Sequence, residues 1–250
     1  MPVTFIEPLN LQDFQDEGKI YRTLSIDRAI AMFDQGKFTF LSPSKWEDPY
    51  EKGFLTMEII QNRVPMVIPT VPQVNPVSYN LFAQCWTGIQ ESEAFWRVRS
   101  PQNDGVNIGI DTQTLYTYLN NLNLNFYIGK VQYLSLKQIF DPAQVRAELA
   151  QSGGNNLIFH LRLLLRKRLQ YRYEQEYRIF LYKQPSIGDE YFDILPFNPC
   201  QLIHRIMLHP KIGKNHETLL KNYFKGKCGQ GFRVIKSKFG APILPINLTI

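Results

Sequence analysis

The sequence predicts a single mixed α/β domain spanning residues 1–250. Strand-like segments alternate with single amphipathic helices along the whole chain, which is the pattern of mixed α/β and α+β folds. The composition, 44% hydrophobic and 13% aromatic, supports a packed core. Residues 64–80 contain four prolines, which forbid a helix and weaken any strand. We interpret them as a surface excursion rather than a linker, because strand-like segments lie on both sides.

The first half of the chain is predicted from alternation and from capping residues. Ser25 is suited to begin a helix and Gly36 to end it, with Ile26, Ile30 and Phe33 repeating at helical spacing. A second, short helix is predicted over 91–100, before Pro101. The predicted strands are 19–25, 37–42, 79–87 and 106–111.

The second half repeats the alternation. The strongest helix prediction is 156–170, where leucines fall on one face and arginines on the other. In the helix over 141–154, Asp141 is the expected cap and Pro142 the first helical residue. The remaining predicted helices are 112–123 and 215–226, and the predicted strands are 126–135, 176–182, 201–210 and 231–238.

The net charge, the cysteines and histidines, and the hydropathy pattern favour some classes of protein and argue against others. The net charge of +6 favours a polyanionic partner such as nucleic acid or a phosphate-bearing cofactor, with solvated helix and strand faces as the equal alternative. Three widely spaced cysteines argue against a disulfide framework and a zinc site, and the histidines lack the spacing of metal ligands, so no metal is expected. The sequence has neither a secretory signal pattern nor a membrane-spanning apolar run, and we expect a cytoplasmic protein with no membrane partner.

Two glutamates stand where the predicted strand 176–182 begins. Because side chains alternate along a strand, Glu174, Glu176 and Arg178 are expected on one face. One alternative is an ordinary glutamate–arginine ion pair. The other is a carboxylate that binds a substrate hydroxyl, activates a nucleophile or stabilises a cationic sugar.

Two upstream segments carry further candidates. Arg22 lies within an apolar strand and needs a partner, either a structural carboxylate or a bound phosphate or ribose. Trp86 and Trp96 could stack on a planar ring, although core packing is the commoner role. The helix that follows Ser92 offers free amides to an anion, whereas Cys85 has no paired histidine and is a weak candidate nucleophile.

The ordered set of segments resembles a known family. "KFTFLSPSKWEDPYE", "QCW…ESEAFWRV…GVNIGID" and "YRYEQEYRIFLY" are similar to the bacterial domain-of-unknown-function family 2971. Trp46-Glu47 and Asp104-Gly105 stand at positions where that family has Phe-Asn and Lys-Gly. More distantly, the order of elements resembles the ADP-ribosyltransferase fold, especially its DarT-like branch, which implies a split mixed sheet flanked by helices.

The second resemblance implies an activity and a site. It implies an NAD-dependent ADP-ribosyltransferase acting on nucleic acid or protein, such as a bacterial toxin or phage-defence effector with an antitoxin or other partner protein. Glu176 would be catalytic, Glu174 would orient the acceptor and Arg22 would bind NAD. The predicted cofactor-binding residues are Tyr21, Arg22, Ser42, Trp86, Ser92 and Trp96. The alternative is a non-catalytic nucleic-acid or nucleotide-binding module of a stress or defence system.

Overall fold

The structure is a computed structural model that describes residues 2–53, 59–61, 64–66, 81–153, 155–183 and 189–239. Within these ranges the strands are β1 Thr4–Phe5, β2 Lys19–Ser25, β3 Phe38–Leu41, β4 Ile59–Gln61, β5 Val64–Met66, β6 Leu81–Thr87, β7 Gly105–Asp111, β8 Asn125–Lys130, β9 Gln132–Leu134, β10 Arg166–Arg168, β11 Glu176–Tyr182, β12 Tyr191–Ile194, β13 Ile203–Leu208 and β14 Val234–Lys236. The α-helices are α1 Leu11–Asp16, α2 Ile26–Gln35, α3 Pro49–Gly53, α4 Glu93–Arg99, α5 Thr112–Asn121, α6 Leu136–Ile139, α7 Pro142–Gln151, α8 Asn156–Leu164, α9 Pro199–Leu202 and α10 Lys214–Cys228. Two 3₁₀ turns cover Pro43–Lys45 and Leu169–Glu174.

A large mixed sheet organises the domain, in the order β1-β8-β11-β6-β2-β7-β13-β14. The β1–β8 and β13–β14 pairs are parallel, while the central pairs are antiparallel. Only one register pair, Tyr21 with Thr87, joins β2 to β6, whereas β2 and β7 pair over seven residues. The sheet is therefore split between β2 and β6, as predicted.

Helices cover both faces of this sheet, and each face has its own apolar core. On one face the side chains of Ile20, Trp86 and Tyr177 join a cluster that also contains α2 and α5 residues. On the other, Ala83 and Phe180 pack against the leucines of α8. Successive residues of a strand alternate between the faces, so Glu176, Arg178 and Phe180 share the α8 side of β11.

The local signals near the N-terminus are confirmed. The Ser25 hydroxyl accepts a hydrogen bond from the Arg28 amide, and α2 ends at Gly36 in the left-handed region at φ 59°. A side chain at residue 36 would also bring its Cβ within 3.0 Å of the Phe197 carbonyl oxygen. Both constraints explain why glycine occupies this position.

The helix predicted over 156–170 is wrong in its second half. α8 ends at Leu164, and Arg166–Arg168 form β10, which pairs in parallel with β9. Arg166 is buried and its guanidinium lies 3.0 Å from a Glu148 carboxylate oxygen. Backbone pairing and this buried ion pair outweigh the helical periodicity of the leucines.

The argument against a disulfide framework does not exclude a single bridge, and the described residues contain one. Cys200 in α9 and Cys228 at the end of α10 are bonded across 28 residues, with their Cα atoms 5.2 Å apart. Cys85 is a free thiol. Sequence spacing could not reveal this pair, because the folded chain brings two distant helix ends together.

The proline-rich stretch lies mostly outside the described residues. Of residues 64–80, the structure describes Val64–Met66, which pair with Ile59–Gln61 as a hairpin. In the described part of the chain, no helix is both long and apolar enough to cross a bilayer.

Candidate functional site

The candidate site lies where the sheet splits. Glu176 is the first residue of β11, and its register partner on β6 is Thr87, which in turn pairs with Tyr21 on β2. Three neighbouring strands therefore bring the candidate residues of distant segments into one row. The Thr87 hydroxyl donates a 2.5 Å hydrogen bond to the Glu174 carbonyl and fixes the chain just before β11.

Both glutamates are buried in a network of ion pairs. The Lys167 ammonium lies between them, 2.5 Å from Glu174 Oε2 and 3.1 Å from Glu176 Oε2. Arg178 donates to both Glu176 oxygens, each at 3.1 Å. The ion-pair alternative for the carboxylates is thus realised, with Lys167 as an additional cation.

The loop after β3 closes this network from one side. Glu51 on α3 accepts a hydrogen bond from Arg178 and lies 3.7 Å from the Lys167 ammonium. The Trp46 ring stacks on the Arg178 guanidinium, whose centre is 4.3 Å from the ring centroid. Arg178 also donates to the Leu164 carbonyl at the end of α8. These contacts fix the guanidinium and leave Glu176 only 3% exposed.

The network determines the charge of Glu176. Burial by itself raises the pKa of this carboxyl group, but the positive charges of Arg178 and Lys167 outweigh burial and hold that pKa well below its ordinary value. Burial likewise lowers the pKa of Lys167, and the nearby carboxylates of Glu176, Glu51 and Glu174 more than compensate, so that the net shift is upward. Glu176 is therefore an ionised carboxylate at neutral pH.

Cys85 lies beside this network on β6, one of the two strands between which the sheet splits. It is the register partner of Arg178, and its thiol is close enough to Glu176 to share a hydrogen bond. Burial, followed by the negative charge of Glu176, raises the pKa of the thiol to about 12. Cys85 is therefore a neutral thiol, in keeping with its weak candidacy as a nucleophile.

Arg22 lies on β2, one residue after Tyr21. Burial is the largest cause that lowers the pKa of its guanidinium to about 10, and the positive charges of Arg99 and Arg28 add to it, whereas only the thiolate form of Cys85 would act in the opposite direction. Within the described residues its guanidinium makes no hydrogen bond or ion pair to protein, and no carboxylate is among the charges acting on it. Arg22 and Glu176 share Cys85 and Arg99 as electrostatic neighbours. The structural carboxylate expected as one alternative for Arg22 is absent from the described residues, and a partly buried cation without a counterion is what an anionic ligand would bind.

The other predicted site residues are occupied by contacts within the fold. Trp86 is 2% exposed and its indole donates to Gln84, while Trp96 packs edge-on against His209. The Ser92 hydroxyl caps α4 by accepting from the Phe95 amide, and the Ser42 hydroxyl caps the 3₁₀ turn after β3.

Tyr21 packs beneath a buried arginine of the neighbouring strands. The Arg205 guanidinium centre lies 4.9 Å from the Tyr21 ring centroid, and His204 contacts the ring edge-on. The cofactor-binding role of Tyr21 remains a prediction, as do those of Ser42, Trp86, Ser92 and Trp96.

Sequence reasoning missed three charged residues of the site. Lys167 lies within the predicted helix 156–170, and neither Glu51 nor Arg99 is among the residues that the sequence predicts for the site. Arg99 ends α4 and its guanidinium lies 3.4 Å from Glu174. The motif "WEDPYE" held a signal for Glu51, because an acidic residue after a tryptophan in a turn-rich loop can reach a cation on the sheet.

Two surface cavities lie away from this cluster. One, of about 1040 Å³, is lined mainly by the end of α2, by α5 and by residues 196–202. The other, of about 560 Å³, is lined by Asp13, Asp16, Glu17, Lys130 and Tyr177, together with Pro8 and Leu9. Neither cavity is lined by a residue of the ion-pair network. Tyr177, which lines the second cavity, belongs to the face of β11 opposite Glu176.

Comparison with known proteins gives distant structural similarity only. The structure is similar to Thermus sp. 2.9 DarT in complex with ADP-ribosylated ssDNA, with a TM-score of 0.43 and 12% identity over 90% of this chain and 96% of that chain. For the same protein in complex with NAD+ the TM-score is 0.40, at 12% identity over 90% and 97% of the two chains. At TM-scores below 0.5 these similarities carry no argument for an activity. No family model and no curated protein matches the chain, so the resemblance to family 2971 remains a prediction.

Proposed function

We propose that the protein is an ADP-ribosyltransferase that uses NAD and binds it where β2 and β6 separate. The observation that supports the proposal is the row of Glu176, Thr87 and Tyr21 across three adjacent strands, with Arg22 next to Tyr21 on β2. Arg22 is a cation without a counterion among the described residues, and Glu176 is an ionised carboxylate. These are the two charges that an NAD-cleaving site needs.

The residues present fit the parts of NAD that carry charge. The Arg22 guanidinium, with its planar donor fork, suits the pyrophosphate group. The Glu176 carboxylate, held in place by Lys167 and Arg178, supplies a fixed negative charge. Such a pre-oriented charge stabilises a positively charged transition state without reorganisation at the moment of reaction.

The transfer balances as a substitution at ribose C1′. The bond from C1′ to the nicotinamide nitrogen breaks, and its electron pair leaves with neutral nicotinamide. A nucleophilic oxygen or nitrogen of the acceptor forms the new bond to C1′ and loses its proton to water. In this scheme Glu176 offsets positive charge on the sugar, while Glu174, on the same side of β11, orients the acceptor.

Nucleic acid is the acceptor that the charge of the chain favours. The net charge of +6 attracts a polyphosphate backbone and raises the rate of encounter. A protein acceptor, a role in toxicity or phage defence, and an antitoxin partner are further parts of the proposal that follow from the sequence resemblance alone.

A second function is favoured by one observation. Both carboxylates are already paired with cations, and Glu176 is 3% exposed. A module that binds a nucleotide or nucleic acid at Arg22 would need the glutamates only to hold the sheet together. Such a module would bind without turnover, and its affinity would fall as salt concentration rises.

Incubation with labelled NAD and with single-stranded DNA, RNA or protein separates the two functions. We expect transfer by the wild type and a loss of about 100-fold or more in Glu176→Gln, the magnitude typical of losing an electrostatic catalytic group. Glu93→Gln is the matched control, because Glu93 is exposed and paired only with Arg97 in the same helix. Circular dichroism and melting curves check that Glu176→Gln is folded.

Arg22→Ala provides a second route if Glu176→Gln does not fold. It should raise the apparent Kd for NAD without changing the melting temperature greatly, because Arg22 has no protein partner to lose among the described residues. Transfer that is undiminished in Glu176→Gln refutes the catalytic assignment. Saturable, salt-sensitive binding that survives loss of both glutamates and shows no turnover supports the binding module instead.

A further inference from the structure

Arg99 lies between the two charged parts of the site. It is the last residue of α4, a helix that packs against β2, the strand that carries Arg22. Its guanidinium lies 3.4 Å from Glu174 Oε1 and its side chain is 47% exposed. The charge of Arg99 also acts on Arg22, which makes it a neighbour of both the carboxylate network and the unpartnered guanidinium.

The bond from Arg99 to Glu174 is long, and its Arg99 partner is half-exposed. The Lys167 ammonium holds the other oxygen of the same carboxylate at 2.5 Å and is almost fully buried. A long ion pair with a half-exposed partner contributes little. Glu174 would therefore remain paired if Arg99 turned away.

A ligand at Arg22 would give Arg99 a better partner. The positive charges of Arg99 and of Arg28, on the first turn of the helix after β2, both act on Arg22. Within the described residues, no carboxylate is among the charges that act on Arg22. A pyrophosphate group carries two negative charges and several acceptor oxygens, enough to engage more than one guanidinium.

We propose that Arg99 is a second phosphate-binding residue of this site and that a pyrophosphate-bearing ligand takes it away from Glu174. Ligand binding would then remove one of the two cations from Glu174 while Lys167 keeps the carboxylate in place. The negative charge of Glu174, the acceptor-orienting residue, would thus be less neutralised by neighbouring cations when the ligand is bound than when the site is empty. The proposal rests on the proposed function for the identity of the ligand, a dinucleotide, but not for the exchange of partners.

Binding of inorganic pyrophosphate to the full chain tests this exchange without any turnover. In titration calorimetry at low salt, Arg99→Ala should weaken binding by about 10-fold, the typical effect of losing one charged hydrogen-bonding partner. Arg97→Ala is the matched control, because Arg97 lies in the same helical turn but is 78% exposed and paired with Glu93. Its affinity should stay within about twofold of the wild type.

A double-mutant cycle with Glu174→Gln separates partner exchange from simple charge repulsion. If Glu174 competes with the ligand for Arg99, Glu174→Gln should tighten pyrophosphate binding several-fold in the wild-type background. The same substitution should have almost no effect in the Arg99→Ala background. Equal tightening in both backgrounds would mean that Glu174 only repels the anion, and the exchange would be refuted.

The outcomes are distinguishable from failure of the proposed function. Wild-type protein that binds no pyrophosphate, or an Arg99→Ala variant that binds it as tightly as wild type, overturns the inference even if ADP-ribosyl transfer is observed. Arg99-dependent pyrophosphate binding without any transfer supports the inference and removes only the catalytic proposal. If Glu174→Gln does not fold, the comparison of Arg99→Ala with Arg97→Ala decides alone.

Discussion

Lys167→Met tests the physical basis of the site most directly. The lysine is 7% exposed, and its ammonium is surrounded by Glu174 at 2.5 Å, Glu176 at 3.1 Å and Glu51 at 3.7 Å. Methionine keeps an unbranched apolar chain of similar length and removes the charge together with the hydrogen bonds that the ammonium donates to Glu174 and Glu176. The carboxylates then share one fewer cation in a buried environment.

The magnitude follows from this geometry. At an effective dielectric constant of about 20, a pair 3.1 Å apart attracts by roughly 5 kcal/mol, and much of this is offset by desolvation. Removing one partner of a buried ion pair leaves an uncompensated charge and costs about 3–5 kcal/mol. Because Arg178 still neutralises Glu176, we expect the lower end, about 3 kcal/mol, in the free energy of unfolding.

Urea denaturation followed by tryptophan fluorescence measures this loss. With an m-value of about 1–3 kcal/mol/M, the midpoint should fall by roughly 1–3 M. The cost should shrink as the pH approaches 4, because a carboxylate that has lost its cation can take up a proton. Combining the change with Glu174→Gln should cost clearly less than the sum of the two single changes.

Lys137→Met is the control for the loss of a lysine charge. Lys137 is exposed, and a surface substitution of this kind changes stability by no more than about 0.5 kcal/mol. A Lys167→Met variant that behaves like this control would show that the ion pairs do not stabilise the site. Additive effects of Lys167→Met and Glu174→Gln would contradict the contact between their side chains.

Three further outcomes follow from single features of the structure. Because the pKa of Glu176 is depressed in the folded state, its contribution to stability is complete above the unfolded pKa of about 4.3 and is lost as the pH falls below that value. Melting temperatures between pH 6 and pH 3 should therefore fall more steeply for the wild type than for Glu176→Gln, and parallel curves would refute the depressed pKa. Cys85, with a pKa of about 12, should react with iodoacetamide at pH 8 roughly a thousand times more slowly than glutathione, since only the thiolate reacts; labelling at the rate of glutathione would show an exposed thiolate. Gly36→Ala should lower the free energy of unfolding by about 1–2 kcal/mol because of the left-handed backbone, with an added loss from the close Phe197 carbonyl. Gly153→Ala, at φ 58° with open space around it, measures the backbone contribution alone, and equal losses for the two variants in urea denaturation would exclude the close contact.

Local patterns in the sequence predicted much of the fold. Alternating apolar residues located β2, β7 and β11, and capping residues located both ends of α2, because these signals depend on neighbours within a few positions. The same reasoning identified Glu174, Glu176 and Arg22 as residues that need partners. It offered Arg178 as an ion-pair partner for the glutamates, which the structure confirms for Glu176, but it did not identify Lys167, which lies between them.

The tertiary structure decided the partners. Lys167 joins the glutamates because the chain leaves α8 at Leu164 and turns its arginine-rich end into a strand, against the helical periodicity of the sequence. Arg22 has no counterion among the residues that the structure describes, beside the point where β2 and β6 separate, and no local pattern in the sequence gives the position of that gap. Sequence alone determined which residue types lie on which strands, since that depends on local periodicity. Only the folded chain determined which charges meet, because Lys167 reaches Glu174 only where the chain leaves its helix, and Glu51 pairs with Arg178 from 127 positions away.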